Sequence, residues 1–351
     1  MDEGKYRAAV IGLGFIGAGD PVRAGEIGQR VEDLQGSVHA EVLAGHSRTT
    51  LVAGVSRDAG RRERFLGRFP KARAYADYRE MLAAERPQIV SVAANTPVHA
   101  EATVACAEGG VGCVFCEKPI ATRLADADRM IAACQAGGTL LVMNHNRRWH
   151  PVYHAARQAL RDGVAGEVTC LMVRWPTGRL GNVGTHVFDA LQLVMNERVV
   201  AVSGTLDRSG TPDCRGAEYR DPGGWGVVTF ASGVHAHIEA AETLPPGVGV
   251  DIRVVGSRGE LVLGDGGCCF TPWSGERQEL AGPAPDVVTM GRAVDEIIAC
   301  LATGAAPTSS GEDGRAALEV IVGFHASDRR QGQWVSLPLS GEDRELEVRI
   351  G

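Results

Sequence analysis

Tyr6-Arg7-Ala8-Ala9-Val10-Ile11-Gly12-Leu13-Gly14-Phe15-Ile16-Gly17 is the stretch that decides the fold. Tyr6 to Ile11 reads as a short buried strand, and it runs without a break into Gly-x-Gly-x-x-Gly. In that place the first glycine allows a tight turn and the second lets backbone approach a pyrophosphate. The third lets helix and strand pack closely. The helix that follows would offer free N–H groups and a positive dipole end to phosphates. Gly12, Gly14 and Gly17, with Phe15 and Ile16 between them, are therefore candidate dinucleotide-binding residues. For the motif by itself, a glycine-rich turn without a ligand is the alternative.

Just downstream, Ala18-Gly19-Asp20-Pro21 interrupts the helix, because Pro21 disfavours helical geometry at Asp20. Helical patterning returns around His39 to Ala44, so residues 18–38 read as an insertion at the mouth of the cofactor site. A lid, a subunit contact and a solvated excursion all fit it. Leu51 to Val55 is the second strand, whose end meets the adenine ribose in this type of unit. Ser56 and Arg57 there suit a 2′-phosphate and favour NADP, while Asp58 is the competitor that would favour NAD. Tyr78 to Ala84 has helical spacing. Ile89 to Ala93 is an apolar strand ending at Asn95-Thr96-Pro97, with His99 just beyond. His99 either caps and packs its helix or faces the cofactor.

Gly112 to Phe115 leads into Cys116-Glu117-Lys118-Pro119, and a helical pattern follows from Ala125 to Cys134. Open α/β sheets bind ligands outside the carboxyl ends of their strands, which is where Lys118 sits. Pro119 restricts the residue before it and so holds Lys118 stiffly. Taken alone, the tripeptide favours the plainer reading of a surface lysine at a strand end. Gly138 to Met143 is the last strand of this half. After it, the cluster Asn144 to His150 places Arg147 and Trp149 as candidates to line a substrate cleft, or Arg147 and Arg148 as ordinary surface charges.

Beyond residue 150 the pattern changes. Pro151 to Arg161 is a helix with proline in its first turn. Val168–Trp175, Val199–Leu206, Gly226–Phe230, Val234–Ile238, Ile252–Val255 and Glu260–Leu263 are strands, several joined by Gly-rich turns, which suggests an antiparallel open sheet. Within this half, Asn182 to Met195 reads as a helix or its entry. Asn182, His186 and Asp189 would then share one face at spacings of four and three. A histidine so flanked exchanges protons near neutral pH. A histidine packed between helix and sheet is the alternative. Asp286 to Ala302 and Gly314 to Ser327 are further helices, and Trp334 to Leu337 a closing strand.

The whole chain sets bounds on partners. Its 351 residues suffice for two cores, and a 44% hydrophobic content is ordinary for a globular protein. A net charge of -7 argues against nucleic acid or an anionic membrane surface. No stretch is apolar enough to span a bilayer, and the first residues lack a signal-peptide layout, so a cytoplasmic location is expected. Nine scattered cysteines make a disulfide framework unlikely there. Neither Cys113-x-x-Cys116 nor Cys268-Cys269 has the partner set of a zinc site. No metal is expected.

Gly12, Gly14 and Gly17, Asn95-Thr96-Pro97 with His99, Glu117-Lys118-Pro119 and Gly184-x-His186-x-x-Asp189 occur in this order. With Ala316-Ala317-Leu318-Glu319 and Val335 to Pro338, they make the chain resemble the Gfo/Idh/MocA family of NAD(P)-dependent oxidoreductases. The resemblance runs nearly end to end. It implies an α/β Rossmann domain over residues 1–150, followed by an α+β domain over 151–351 with a large, mostly antiparallel open sheet. It further implies dimers or tetramers through that sheet, and sugars, cyclitols or their keto forms as substrates. By position, Lys118 would hydrogen-bond the reacting oxygen and His186 would give or take the proton. Cofactor contacts would come from residues 12–17, Ser56, Arg57, Asn95 to Pro97, His99 and Glu117. Substrate contacts would come from Lys118, Arg147, Trp149, Asn182 and His186.

Two departures bear on function. Many members have Asp where this chain has Asn182, and an amide positions substrate but takes no proton. The segment Pro176 to Gly181 is also short for a substrate-side loop. The expectation is an NADP-preferring oxidoreductase. The rivals are a glycoside hydrolase or lyase using tightly bound NAD transiently, and a non-catalytic dinucleotide-binding sensor.

Overall fold

The computed structural model describes residues 4–20, 38–176, 178–209, 219–241, 249–264, 266–284 and 287–350. Most of the 18–38 insertion lies outside the described residues. Two compact units emerge. The first comprises Met1–Ala121, Ala125–Asn146 and Val288–Gly314; the second comprises Thr122–Leu124, Arg147–Val287 and Arg315–Gly351. The chain thus returns to the first unit over Val288–Gly314 before it ends in the second.

In the first unit the elements are β1 (Tyr6–Ile11), α1 (Phe15–Ala18), α2 (His39–Gly45), β2 (Thr49–Val55), α3 (Ala59–Arg68), β3 (Arg73–Tyr75), α4 (Tyr78–Glu85), β4 (Ile89–Val92), α5 (His99–Glu108), β5 (Cys113–Cys116), α6 (Leu124–Gly137) and β6 (Leu140–Met143). Six parallel strands lie in the order β3-β2-β1-β4-β5-β6. β4 and β5 are buried at every residue, as central parallel strands covered on both faces must be. Their apolar runs, Ile-Val-Ser-Val and Cys-Val-Phe-Cys, follow from that position. The order reverses between β1 and β4, and there the two strand ends approach closely. A Cβ on Gly12 would lie 2.5 Å from the Ala93 carbonyl oxygen, and Gly12 has φ +99°, so only glycine fits.

α3 and β3 were not expected. α3 is strongly polar on average and buries only Phe65. Its start is fixed instead by Asp58, whose side chain accepts from the Arg61 N–H at 2.8 Å.

The second unit contains α7 (Pro151–Arg161), β7 (Val168–Arg174), α8 (Gly184–Met195), β8 (Val199–Asp207), β9 (Gly223–Phe230), β10 (His235–Ala240), β11 (Asp251–Gly256), β12 (Gly259–Gly264), β13 (Gly267–Pro272) and β14 (Gln278–Ala281). After α9 (Thr289–Thr303), which belongs to the first unit, come α10 (Gly311–Arg329), β15 (Val335–Ser336) and α11 (Gly341–Arg344). The strands form a nine-stranded sheet in the order β14-β13-β12-β11-β7-β10-β9-β8-β15. Every pair is antiparallel except β7 with β10. Thus the α/β domain followed by a mostly antiparallel open sheet is what the chain builds. β13 and β14 extend that sheet beyond the strands read from sequence.

Alternation along the strands decides which face is covered. In β7, Leu171 and Val173 point inward while Met172 and Arg174 point out. In β10, Ala236 and Ile238 point inward while His237 and Glu239 point out. The inner face packs an aromatic run: Trp175 meets Phe188 edge-on at 5.7 Å, and Phe188 stacks on Phe324 at 5.6 Å. Gly204 and Gly226 make room for Phe324, since a Cβ on Gly204 would lie 2.5 Å from its ring. The outer face keeps Met172 and Trp225 about half exposed. Among the described residues, no helix is long and apolar enough to cross a membrane.

Candidate active site

Because the six strands of the first unit are parallel, their carboxyl ends share one edge. That edge collects Gly12 after β1, Ser56 after β2, Asn95 after β4, Glu117 and Lys118 after β5, and Asn144 after β6. The three glycines of the first turn differ in what a side chain would meet. A Cβ on Gly17 would lie 1.8 Å from the Gly12 carbonyl oxygen, which fixes close helix–strand contact. A Cβ on Gly14 would meet nothing within 4 Å. Gly14 therefore leaves open backbone where a pyrophosphate needs to approach, as the motif requires. Phe15 and Ile16 open α1, directly after Gly14 as its N-cap.

At the end of β2, Asp58 is committed to capping α3 and its N–H is bonded to Ser56 Oγ at 3.2 Å. Arg57 is exposed. The Ser56 and Arg57 carbonyls accept from Arg62 at 2.7 and 2.9 Å, fixing the turn. Further along α3, Arg61 and Arg64 pair with the buried Asp20. After β4, Asn95 precedes the short turn Thr96–Val98, with Thr96 buried and Pro97 exposed. His99 is buried. Its ring nitrogens lie 2.9 Å from the carbonyl oxygens of Pro119 and Ala94, so it ties the β4 turn to the Lys118–Pro119 turn. Burial holds its pKa below the usual histidine value, against the pull of those carbonyls.

Glu117 is the electrostatic centre of this edge. Its Oε1 accepts from His39 Nε2 at 3.0 Å and Asn144 Nδ2 at 2.5 Å, and its Oε2 from the Lys118 N–H at 3.2 Å. Burial alone would raise its pKa. The hydrogen bond and charge of His39, then the charge of Lys118 and the Asn144 amide, outweigh burial and bring the carboxyl down to about 2. Glu117 is therefore a fixed anion beside Lys118. Asn144 Oδ1 remains a buried acceptor without a hydrogen-bond partner. The carboxamide of a nicotinamide carries an N–H donor of the kind that oxygen lacks. Open backbone at Gly14, the start of α1 directly after it and this acceptor together fit a nicotinamide dinucleotide.

Lys118 is half-buried. The composition of the chain itself marks it. The chain has 36 lysines and arginines, and only Lys5, Lys71 and Lys118 are lysines. Lys5 and Lys71 are exposed. A chain that otherwise uses arginine keeps, at this strand end, a compact amine able to exchange its proton.

The other candidates stand on the second unit. α8 begins at Gly184, two residues beyond Asn182. The shared helical face for Asn182, His186 and Asp189 is thus corrected, because Asn182 precedes the helix. Both oxygens of Asp221 accept backbone N–H groups there, from Gly181 and Asn182, each at 2.6 Å. That bond, rather than helix geometry, orients Asn182. His186 is half-buried in the first turn of α8. Asp189 is fully buried and held by Arg148, whose Nε lies 2.9 Å from each carboxylate oxygen. Arg148 is therefore an interior ion-pair partner, not a surface charge. Arg147 is half-buried, donating from Nε to Tyr153 OH at 3.0 Å, and Trp149 is buried. Among the described residues, no group of three or more His, Cys, Asp or Glu is placed to hold a metal ion.

A parallel sheet with a glycine turn at its switch point and a lysine at a neighbouring strand end defines a nicotinamide dinucleotide-binding protein. Comparison with known proteins narrows the class. The family model for the N-terminal domain, described as an oxidoreductase family with an NAD-binding Rossmann fold, matches residues 6–145. The GFO/IDH/MocA C-terminal domain matches residues 174–262. The chain belongs to the GFO/IDH/MocA oxidoreductase family. Myo-inositol 2-dehydrogenase of Thermotoga maritima is 26% identical over 276 residues, covering 73% of this chain and 74% of that protein. D-apiose dehydrogenase of Paraburkholderia graminis is 42% identical over 94 residues, a match spanning 27% of this chain and 25% of the relative. The crystal structure of an oxidoreductase domain protein from Kribbella flavida shares the fold, with a TM-score of 0.78 and 21% identity over 96% of this chain and 100% of that one.

Proposed function

We propose that the protein is an NAD(P)-dependent oxidoreductase acting on a CH–OH or C=O group of a sugar, cyclitol or ketosugar-like substrate. The dinucleotide, when bound, supplies the hydride acceptor or donor. The chain's own residues handle the oxygen and the proton. The Lys118 ammonium hydrogen-bonds the reacting oxygen and stabilises negative charge as it develops there. His186 takes the hydroxyl proton in oxidation and returns it in reduction. Asn182, held by Asp221, positions substrate through its amide, and Arg147 and Trp149 complete the substrate side.

One observation carries the reading: Lys118 leaves the end of β5 beside a buried, ionised Glu117, on the edge that also bears the open Gly14 turn. The relatives named above, dehydrogenases of inositol and apiose, support the substrate class. Ser56 and the exposed Arg57, with Asp58 committed to its cap, support NADP over NAD. The exposed, charged and apolar outer sheet face supports assembly with a second copy. A groove of about 630 Å³ crosses it, lined by Met172, Arg174, Trp225, His237, Glu239 and Arg253 among others. All eight described cysteines are free thiols, in keeping with a cytoplasmic setting.

A screen of polyols, cyclitols and ketosugars, read by nicotinamide absorbance with both dinucleotides, tests the reading. Lys118→Ala and His186→Ala should each remove most turnover while thermal unfolding stays close to that of the parent. Full activity in either variant refutes the assignment. Arg57→Ala should weaken NADPH binding more than NADH binding, and equal effects on the two would remove the NADP preference.

A further inference from the structure

His39, the first residue of α2, lies 78 positions before Glu117 in sequence and contributes nothing to the proposed chemistry directly. Its side chain is nevertheless fully buried at that carboxylate. An ionised carboxylate can only accept, so His39 Nε2 and Asn144 Nδ2 must be the donors to Glu117 Oε1. The opposite ring nitrogen, Nδ1, meets Ser91 Oγ of β4 at 2.9 Å. The ring also packs edge-on against Phe115 of β5, with centroids 4.9 Å apart. Contacts from β4 and from β5 and its end thus fix the imidazole, and its two polar partners are the Ser91 hydroxyl and the carboxylate next to Lys118. On the far side of the same turn, His99 holds the Pro119 carbonyl.

We propose that His39 is a positioning residue for Lys118, acting through Glu117. It holds the carboxylate that accepts the Lys118 backbone N–H, and it keeps that carboxylate charged beside the ammonium. The inference rests on the reading of Lys118 as the group at the reacting oxygen. Titratable groups around the carboxylate are His39 from α2, His99 from α5, Cys116 from β5 and Lys118 itself. Deprived of the His39 donor, a buried Glu117 gains a proton and loses its charge, and the neighbouring amine then gives up its own proton more readily.

The scarcity of lysine makes this measurable without turnover. In the dinucleotide-free protein, acetic anhydride labelling followed across pH by peptide mass spectrometry reads the Lys118 amine, with exposed Lys5 and Lys71 as internal references. His39→Phe should lower the Lys118 midpoint by about one pH unit and leave the two references in place. His39→Gln, which keeps an N–H donor, should restore most of the shift. In turnover, His39→Phe should lower kcat roughly ten- to hundred-fold while dinucleotide Kd stays within about twofold. If His39→Phe does not fold, Glu117→Gln carries the same test, since it removes the charge at constant shape and should lower the midpoint likewise. An unmoved midpoint in Glu117→Gln overturns the proposal. So does an unmoved midpoint in folded His39→Phe, or a His39→Gln protein that behaves like it. If Lys118→Ala proved fully active, the functional reading would fall, while labelling would still decide whether His39 governs the amine.

Discussion

Alanine at Gly14 separates the fold of the glycine turn from its use. Gly14 has φ −80° and ψ −161°, a conformation alanine adopts freely, and its added Cβ meets no atom within 4 Å. The native chain therefore bears no new clash, and removing a glycine restricts the unfolded chain by an amount worth about 0.4–1 kcal/mol. Stability should hold or rise slightly. The methyl group projects instead into the space a pyrophosphate needs. Loss of one backbone N–H bond to a charged phosphate corresponds to about 1.5–3 kcal/mol, or roughly ten- to hundred-fold in Kd. Gly17→Ala is the contrast. Its Cβ would sit 1.8 Å from the Gly12 carbonyl oxygen, an overlap with backbone that no rotamer relieves. It should cost at least about 3 kcal/mol, at the upper end of overpacking losses. Thermal unfolding of the dinucleotide-free protein and fluorescence titration with NADH and NADPH measure the two effects. Unchanged affinity in Gly14→Ala, or a loss of stability matching that of Gly17→Ala, refutes the argument.

Other expectations follow from the buried charges and the open sheet. Glu117 has its pKa depressed in the folded chain to about 2 from an ordinary 4.5, so its contribution is present above pH 4.5 and disappears as pH falls through 2. The difference corresponds to ~3 kcal/mol, and Glu117→Gln should flatten that part of an acid-unfolding curve. Arg148→Met strands the fully buried Asp189 carboxylate and should destabilise by about 3–5 kcal/mol, while adding Asp189→Leu should recover much of the loss in urea unfolding. Met172→Glu together with Trp225→Glu should lower the mass measured by light scattering if the outer face joins two copies. An unchanged mass would place the contact elsewhere.

Much of the first unit was legible because its central strands are buried on both faces. Ile89 to Ala93 and Gly112 to Phe115 read as mostly apolar runs, and the glycine fingerprint marks the turn after β1. α3 escaped notice because one phenylalanine is its whole buried face and a side-chain cap sets its start. The sheet of the second unit showed itself through alternation, yet β13 was hidden behind Gly264 to Gly267, a stretch whose glycines read as loop. Of the candidate site, Lys118 and His186 were visible as members of motifs. Their supports were not. His39 with Glu117, Arg148 with Asp189, and Asp221 with the Asn182 backbone are partners 78, 41 and 39 residues apart. No periodicity links positions so distant, and only folding brings them together.

The late return of the chain to its first unit has a bearing on synthesis. α9 pairs Asp295 with His46 at 3.0 Å, and its Leu301 side chain lies against Gly112. Ser309 then accepts from the Met143 N–H at 3.0 Å, and Ser310 bridges to Val142 along the outer edge of β6. These partners leave the ribosome only after all the strands from β7 to β14 have been made. The nucleotide-holding half, first to be translated, is thus among the last parts to be completed, and a nascent chain cut short near residue 150 would present an unfinished sheet margin to chaperones.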